Sequence, residues 1–464
     1  MQRALGNGAL VVGLLAVVLF GAGASAGDLG DPRIGALRAA LEADGFIVQE
    51  GELTTLDLVK LCCTGVIASC FANNAGAPYK VTVVPQAPDQ TVPSSLPWGY
   101  RLRPDEALVL VGRTPPRAAY FSYQTFVAVR YFETEKARRR ILACIGDAQN
   151  LSTIQTAGAA ESNPFDAETI LITTADRGID ARVRAAATRA GYPQGTINTD
   201  VIPSSVARLG LEYEADEFST LNRIFLPESE DALTAYMETP QLVLRVTPRE
   251  RPALDPFPTP DLRVRGTGTT EMDLLPAVAA LREVILERYS ALESTELETS
   301  VWLEDSFDGI QRGVDMYGPT RDTIYFWTQP TIKLPDGPDD FIIVYGVNHE
   351  KTGKATYSNF SVYADPVLKL GVVGQHSRVF AGSAREYLPD HPLADSLYVW
   401  KIARHCNGDP TCLELANCCC PKLDLDLLPD LWVAFRLYLE PGTGVGPAFA
   451  EVVYDRAIVF RPRK

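Results

Sequence analysis

Histidine is scarce in this chain, which has four in 464 residues: His349, His376, His391 and His405. A metal site built on three histidines would need nearly all of them to converge. Motifs that carry a known mechanism are also missing: there is no G-x-S-x-G elbow, no P-loop, no G-x-G-x-x-G after a predicted strand and no H-E-x-x-H pair. These absences exclude the commonest hydrolase, nucleotide-binding and zinc-protease signatures, and no cofactor is evident.

Long apolar runs and excess positive charge are lacking as well. After residue 26 no segment reaches the roughly 20 apolar residues that a membrane-spanning helix needs. The net charge is −15, and an acidic surface repels phosphate backbones, so no nucleic-acid partner is expected. The partners that remain are an unknown small molecule or a protein.

The first 26 residues have the pattern of a cleavable signal peptide. Arg3 precedes an apolar run from Gly8 to about Phe20, and Ala24-Ser25-Ala26 has the small-residue form that a signal peptidase accepts. The alternative, a membrane anchor, needs a longer apolar run than this one. The sequence therefore predicts cleavage near Ala26 and a secreted protein, periplasmic or extracellular.

The nine cysteines are disulfide candidates in such a compartment: Cys62, Cys63, Cys70, Cys144, Cys406, Cys412, Cys418, Cys419 and Cys420. Cys63 with Cys70, and pairs within Cys406–Cys420, are candidates to close short loops, and the sequence leaves the connectivity open. Nine is odd, so at least one cysteine is left over or pairs with another chain. The alternative, a zinc site beginning at His405, is disfavoured because the cysteine gaps do not match the usual C-x₂₋₄-C pairs, and we predict no metal.

Two segments of the chain resemble two others in order and spacing. Asp105–Gly112 aligns without a gap on Asp339–Gly346, each an acidic turn, an apolar strand and a closing glycine. Arg117–Tyr123 then aligns on Lys354–Phe360 as a second strand. The pattern predicts an internal duplication; the alternative is two unrelated α+β segments that share generic strand patterns.

The predicted fold class is α+β, with two similar lobes that are each a mainly antiparallel sheet with a few flanking helices, stapled by disulfides. A first lobe covers 27–247, a Pro/Gly-rich linker 248–270 and a second lobe 271–464, after the 1–26 signal peptide. Each lobe opens with an amphipathic helix, capped by Asp31 in the first and by Asp273 in the second.

Further elements follow from periodicity and caps. In the first lobe we predict strands at 170–173, 196–201, 218–225 and 242–246, and helices that begin after Asp176 and at Ser229. In the second lobe we predict strands at 300–303, 323–328, 341–347, 355–363, 397–402, 431–439 and 448–460.

The densest polar segment runs from Asn348 to Lys354, in the loop between two predicted strands. A histidine beside a carboxylate and ammonium groups is a candidate general base near neutral pH. The candidate catalytic residues are therefore His349, Glu350 and Tyr357, and the candidate ligand-binding residues around them are Tyr345, Asn348 and Lys354. The alternative is an ordinary exposed hairpin, because hairpin tips are polar anyway.

A second polar cluster lies where a predicted strand leads into a helix, at Asp176 and Arg177. Backbone N–H groups and basic side chains at a helix N-terminus favour an anionic ligand, although Asp176 already serves as a cap. Arg321, just before a predicted strand, is a further candidate ligand-binding residue, with a structural role as the alternative.

The leading functional hypothesis is a secreted binding protein without catalysis, whose ligand or partner lies in the groove between the two lobes. Its basis is the duplication together with the missing catalytic motifs. One alternative is a secreted hydrolase or lyase that uses His349 as general base. Another is an extracellular structural or matrix protein.

Overall fold

The computed structural model describes residues 31–157, 163–303, 306–417 and 420–463. The predicted signal peptide, and two of the cysteines, Cys418 and Cys419, lie outside the described residues. We refer to residues 31–247 as the first half and to residues 271–463 as the second half. No helix in the described part of the chain combines the length and the apolar character that crossing a membrane requires.

In the part of the first half that the structure describes there are four α-helices and ten strands. Its helices are α1 (Pro32–Ala43), α2 (Leu58–Cys63), α3 (Arg177–Arg189) and α4 (Glu230–Glu238). Its strands are β1 (Phe46–Thr55), β2 (Tyr79–Val83), β3 (Ala107–Arg113), β4 (Ala118–Phe132), β5 (Ala137–Cys144), β6 (Gln149–Asn150), β7 (Glu168–Thr174), β8 (Ile197–Val201), β9 (Glu217–Pro227) and β10 (Gln241–Pro248).

The second half has three α-helices and nine strands among its described residues. Its helices are α5 (Leu275–Arg288), α6 (Ser306–Arg312) and α7 (Ser377–Phe380). Its strands are β11 (Glu293–Leu303), β12 (Thr323–Gln329), β13 (Phe341–Val347), β14 (Tyr357–Ala364), β15 (Leu370–His376), β16 (Leu397–Ala403), β17 (Cys412–Glu414), β18 (Leu431–Tyr438) and β19 (Arg456–Arg461).

The two sheets have the same strand order. The first is β5-β4-β9-β2-β1-β10-β3-β7-β8, with β6 paired to β4, and the second is β15-β14-β18-β12-β11-β19-β13-β16-β17. If the strands of each half are numbered along the chain without β6, both orders read 5-4-8-2-1-9-3-6-7. In each sheet the last two strands pair in parallel, β7 with β8 and β16 with β17, and the other pairs are antiparallel. The architecture is therefore mixed α+β, with two sheets rich in antiparallel pairs and few helices.

Helices cover one face of each sheet. Because side chains alternate along a strand, neighbouring residues of one strand lie on opposite faces. In the first half, α1 and α3 pack against Val109 and Ile172, and in the second half α5 packs against Ile343. The neighbours of Ile343 in the strand, Ile342 and Val344, point the other way. They belong to a core cluster that contains residues of both halves, so the halves share buried apolar surface.

Several predicted elements are confirmed by their caps. Asp31 accepts a hydrogen bond from the N–H of Arg33 at the start of α1, and Asp176 and Ser229 cap α3 and α4 in the same way. Gly45 and Gly191 follow α1 and α3 with φ of +83° and +98°, the left-handed backbone that favours glycine at a helix C-terminus.

Two predicted boundaries are wrong. Asp273 does not cap α5, because it lies inside a 3₁₀ turn, Met272–Leu274, that leads into the helix without a side-chain cap. The strand predicted over 448–460 is shorter, since Phe449–Glu451 forms another 3₁₀ turn and β19 begins only at Arg456. In both segments a 3₁₀ turn occupies residues whose side-chain pattern also suits the neighbouring element.

Three disulfides lie in the described residues. Cys62–Cys70, with Cα atoms 5.3 Å apart, and Cys406–Cys412, 5.6 Å apart, close short loops. Cys63 bonds Cys420 across the two halves, at a Cα separation of 5.0 Å, so the expected Cys63–Cys70 pair is wrong by one residue. The buried Cys144 is outside these bonds, and its Sγ lies 3.1 Å from the hydroxyl of Ser306.

Backbone hydrogen bonds also cross between the halves, and they do so reciprocally. The N–H groups of residues 70 and 72 donate to the carbonyls of residues 368 and 369. The N–H groups of residues 316 and 318 donate to the carbonyls of residues 141 and 142. We call residues 70–74 and 316–320 the crossing loops. Each precedes the second strand of its own half and pairs with the segment at the fifth strand of the other half, as in an isologous interface.

Candidate functional site

Two buried arginines face a pocket between the halves from equivalent positions. Arg223 lies on β9 opposite Tyr79 of β2, and Arg436 lies on β18 opposite Tyr325 of β12. Strands β9 and β18 occupy the same place in their sheets, and so do β2 and β12. The strand register therefore places the same Arg–Tyr pair on each side of the pocket.

Each arginine holds a crossing loop of the other half. An Nη2 of Arg223 donates to the carbonyl of Gly318, and Nη2 of Arg436 donates to the carbonyl of Ala72 at 2.9 Å. Ala72 and Gly318 both have positive φ, 54° and 72°, which turns these carbonyls toward the arginines. One nitrogen of each guanidinium, Nε of Arg223 and Nη1 of Arg436, is buried and has no hydrogen-bond partner among the described residues.

Three of the four tyrosines that line the pocket accept a hydrogen bond from an N–H group of the chain. The backbone N–H of Asn74 donates to the hydroxyl of Tyr79 at 3.0 Å, and that of Thr320 donates to the hydroxyl of Tyr325 at 3.0 Å. The hydroxyl of Tyr438 accepts from Nδ2 of Asn74 at 3.1 Å. A phenol oxygen that already accepts an N–H keeps its own hydrogen for another partner. All three tyrosines line the pocket, and because the hydroxyl of Tyr325 also lies 3.4 Å from Oγ1 of Thr320, the O–H groups of Tyr79 and Tyr438 are the donors left on the wall.

The pocket has a volume of about 40 Å³. A single water needs roughly 10–15 Å³ on the same measure, so the space holds a small group rather than one solvent molecule. Its apolar wall is made by Leu58, Phe71, Leu142, Leu221, Trp302 and Pro319. A compact ligand with one polar end and a short apolar part fits this lining.

The charge around the pocket is positive. Arg223 is 7 % exposed and Arg436 4 % exposed, and neither forms an ion pair within the described residues. Burial alone would lower the pKa of both, but the surrounding tyrosine oxygens raise it, and both stay charged. Burial raises the pKa of Asp322, and the charge of Arg223 is among the effects that lower it. This carboxyl is not part of the pocket wall, and it accepts hydrogen bonds from Tyr120 and Asn150.

An aromatic cluster supports the pocket at the contact between the halves. Tyr120 and Phe225 of the first half meet Tyr357 and Tyr438 of the second, with ring centroids 4.6–5.5 Å apart. Tyr120 pairs with Phe225 across β4 and β9, and Tyr357 pairs with Tyr438 across β14 and β18. The sequence alignment of Tyr120 with Tyr357 thus corresponds to equivalent positions in the two sheets.

His349 lies at a different place, buried between two carboxylates. Its Nδ1 is 3.0 Å from both oxygens of Glu271, and its Nε2 is 3.3 Å from Oδ2 of Asp455. Burial alone would lower the pKa of His349, but the charges of Glu271 and Asp455 raise it to about 10. Burial would likewise raise the pKa of Glu271, but the charge and hydrogen bond of His349 lower it. The ring therefore carries a proton on each nitrogen at neutral pH.

The other polar residues of that loop are engaged in the same way. Nζ of Lys354 donates to Glu440 at 2.7 Å and to Glu451 at 2.6 Å. Asn348 donates from its amide to the carbonyl of Ser377 at 3.0 Å. Glu350 accepts from the hydroxyl of Ser377 at 2.7 Å and from Arg378 at 3.0 Å. The loop is thus tied into the second half, with Asn348, His349 and Lys354 buried.

The remaining predicted site residues are spread over the molecule. Tyr357 belongs to the aromatic cluster, and Tyr345 is buried on β13 under α5, where burial raises its pKa to about 12. Arg321 donates to Asp147 at 2.8 Å between the halves. Asp176 caps α3, and Arg177 pairs with Asp255 of the 248–270 segment. The structure brings His349, Asn348, Glu350 and Lys354 together but places the others elsewhere.

Sequence reasoning missed Arg223 and Arg436. The signal is a single arginine in each strand, followed directly by two large hydrophobic residues, in Leu221-Asn222-Arg223-Ile224-Phe225 and in Ala434-Phe435-Arg436-Leu437-Tyr438. Aligning these two strands puts arginine on arginine. The aligned segments that predict the duplication cover the third and fourth strands of each half, whereas these arginines lie on the eighth.

Comparisons with known proteins leave the function open. No protein-family model matches the chain, and no curated protein matches it. Among solved structures the chain is similar to an uncharacterised protein from Burkholderia cenocepacia. The two share 14 % sequence identity over 93 % of this chain and 88 % of that one, with a TM-score of 0.40.

Proposed function

We propose that this protein is an exported binding protein that holds a small ligand in the pocket between its two halves. One observation carries the proposal: equivalent residues of the two halves line one pocket and leave buried polar groups that the chain itself does not satisfy. A buried donor without a partner costs roughly 1–3 kcal/mol, so a fold retains such groups where something else satisfies them.

The identical strand order supports a common origin of the halves. Unrelated α+β segments have no reason to share an order in which the eighth strand lies between the fourth and the second. We therefore propose that 27–247 and 271–464 are copies of one unit, joined by the 248–270 linker. Each copy contributes to the pocket one arginine and the tyrosine opposite it, Tyr79 in the first and Tyr325 in the second.

Export is the location that suits this chemistry. The 1–26 segment has the form of a signal peptide, and three disulfides form readily outside the cytoplasm. The secreted, periplasmic or extracellular location is thus part of the proposal.

The alternatives have less support. A general base must be able to accept a proton, and His349 between Glu271 and Asp455 holds its own up to about pH 10. This environment favours a structural role of His349 over a hydrolase or lyase mechanism. No contact among the described residues favours the matrix-protein alternative.

A thermal-shift screen tests the proposal. A ligand that binds only the folded protein raises its melting temperature. We expect at least one compound from a small-molecule library of mixed charge to stabilise the wild type and not Leu221→Trp, which fills the pocket from β9. The matched control is Val264→Trp, on an 85 % exposed residue of the linker, which should keep the response.

Tyr79→Phe is a second test in case Leu221→Trp does not fold, because it removes one pocket hydroxyl and keeps the ring. If no compound stabilises the wild type, or if the stabilisation persists in both Leu221→Trp and Tyr79→Phe, the pocket is not a ligand site.

A further inference from the structure

We propose that the ligand is a small oxoanion, a carboxylate or a phosphate-like group, held between Arg223 and Arg436. This inference rests on the proposed function, since it names the chemical class of ligand for the same pocket. It follows from the charge of the pocket, from the direction of its hydrogen bonds and from its size.

The first step is charge. A buried guanidinium is normally paired with a carboxylate, because an isolated buried charge is strongly disfavoured. Two lie on this pocket wall, and no Asp or Glu is among the described residues that line it. The loop carbonyls of Ala72 and Gly318 accept from them but carry no charge. An anion supplies what the chain does not.

The second step is the direction of the hydrogen bonds. The side-chain amide acceptors on the wall are already used: Oδ1 of Asn74 accepts from Asn359 at 2.9 Å, and Oδ1 of Asn73 accepts from the N–H of Gly371 at 3.0 Å. The groups that remain are donors, namely the unpartnered guanidinium nitrogens and the hydroxyls of Tyr79 and Tyr438, whose oxygens already accept an N–H. A ligand that satisfies this wall must accept hydrogen bonds on several sides.

Burial keeps one of those hydroxyls a donor. It raises the pKa of Tyr438 well above its ordinary value, so this phenol holds its hydrogen at any physiological pH. Tyr79 and Tyr325 occupy equivalent positions in the two halves, Tyr79 opposite Arg223 and Tyr325 opposite Arg436.

The third step is shape. A guanidinium offers N–H groups in a planar fork that matches the two oxygens of a carboxylate or phosphate, which a halide does not use. The forks come from opposite halves, so an ion with two or more oxygens bridges them. The volume of about 40 Å³ excludes a nucleotide or an oligosaccharide. Phe71, Trp302 and Leu142 form an apolar part of the wall, which suits a short apolar group attached to the ion.

The test is titration of the full-length exported protein with sodium phosphate, sulfate, acetate and benzoate at constant ionic strength, with sodium chloride as reference. Trp302 lines the pocket, so its fluorescence reports occupancy alongside calorimetry. We expect at least one oxoanion to bind more tightly than chloride. The inorganic and carboxylate arms identify which source of the oxoanion the pocket prefers.

Variants then assign the binding to the pocket. Arg436→Met and Arg223→Met should each weaken oxoanion binding about 10- to 100-fold, as expected for a lost hydrogen bond to a charged group. Arg436→Lys, which keeps the charge and loses the fork, should fall between. The matched control is Arg117→Met, on a side chain 58 % exposed and outside the pocket, which should bind like the wild type.

The double variant Tyr79→Phe/Tyr325→Phe provides a second, conservative test if an arginine variant does not fold. It keeps both rings, and we expect roughly a tenfold loss of oxoanion affinity. Oxoanion binding that persists in this variant and in the arginine variants overturns the inference, and so does a preference for chloride.

The two proposals fail differently. A neutral or cationic compound whose binding is abolished by Leu221→Trp overturns the oxoanion inference and leaves the ligand-binding function standing. If no compound of any charge binds, both fail.

Discussion

At the scale of single residues, buried charge is distributed in two contrasting ways. His349 and Lys354 are each held between two carboxylates of the second half. Arg223 and Arg436 have only neutral oxygens within hydrogen-bonding distance. In the first arrangement each cation is paired with carboxylates of the chain, and in the second the guanidinium groups have no carboxylate partner among the described residues. This contrast supports the proposed ligand site at Arg223 and Arg436 rather than at His349.

The histidine cluster predicts a pH-dependent stability. His349 has a pKa of about 10 in the folded protein and about 6.5 when unfolded, so folding takes up a proton between these values. Its stabilisation is fully present below pH 6.5 and is lost as the pH rises to about 10. On the acid side, the lowered pKa of Glu271 means that its contribution is present above about pH 4.5 and is lost as the pH falls further.

His349→Gln should therefore be less stable than the wild type by about 3–5 kcal/mol at pH 6, because two buried carboxylates lose their cation. The difference should shrink as the pH rises from 6.5 toward 10. Urea unfolding at several pH values measures it. The control is His405→Gln, on a side chain 63 % exposed, for which we expect less than about 1 kcal/mol. A His349→Gln penalty that stays constant with pH would mean that the ring is neutral when folded.

At the scale of elements, local signals predicted well wherever a cap or a turn fixed a boundary. Asp31, Asp176 and Ser229 each mark the start of a helix, because their side chains accept hydrogen bonds from its first free N–H groups. At the start of α5 the predicted cap, Asp273, was wrong, and the start of β19 had no marker. There a 3₁₀ turn takes over several residues, and periodicity alone does not distinguish it.

Two glycines predict opposite outcomes for the same substitution. Gly35 lies on the exposed side of α1 with nothing within 4 Å of a built Cβ, so Gly35→Ala should stabilise the fold by about 0.5–1 kcal/mol. In β13, a Cβ on Gly346 would lie 2.8 Å from Oδ1 and 3.2 Å from Cα of Asp455.

Asp455 has little freedom to move, since it is bonded to His349 and, at 2.7 Å, to Tyr398. Gly346→Ala should therefore destabilise the fold by about 1–3 kcal/mol, as overpacking does. Thermal or urea unfolding of the two variants decides it. Equal effects on stability would contradict the described packing at Gly346.

At the scale of the whole molecule, the sequence could indicate two similar halves but not the pocket between them. Strand β1 pairs with β10, and β11 pairs with β19, at separations of about 200 and 160 residues, and no local pattern encodes such pairing. The crossing loops depend on contacts between the halves as well. The pocket residues Arg223 and Tyr325 come together only through this topology.

The disulfide between the halves should contribute more stability than the local one. A crosslink stabilises mainly by restricting the unfolded chain, and more so for a longer loop. Cys63 and Cys420 are 357 residues apart, whereas Cys406 and Cys412 are 6 apart. We expect Cys63→Ala/Cys420→Ala to lower the unfolding free energy by about 2–5 kcal/mol and Cys406→Ala/Cys412→Ala by less. Urea unfolding without reductant compares the two, and the reverse order would count against this pairing.

The Cys63–Cys420 bond also closes the polypeptide into a covalent ring that passes through the 248–270 linker. Most side chains of that linker are exposed, including Arg251, and they are open to a protease. A single nick there opens the ring without releasing either piece. Nicked protein should run as one species on a gel without reductant and as two with it, and it should keep its two halves in register around the pocket.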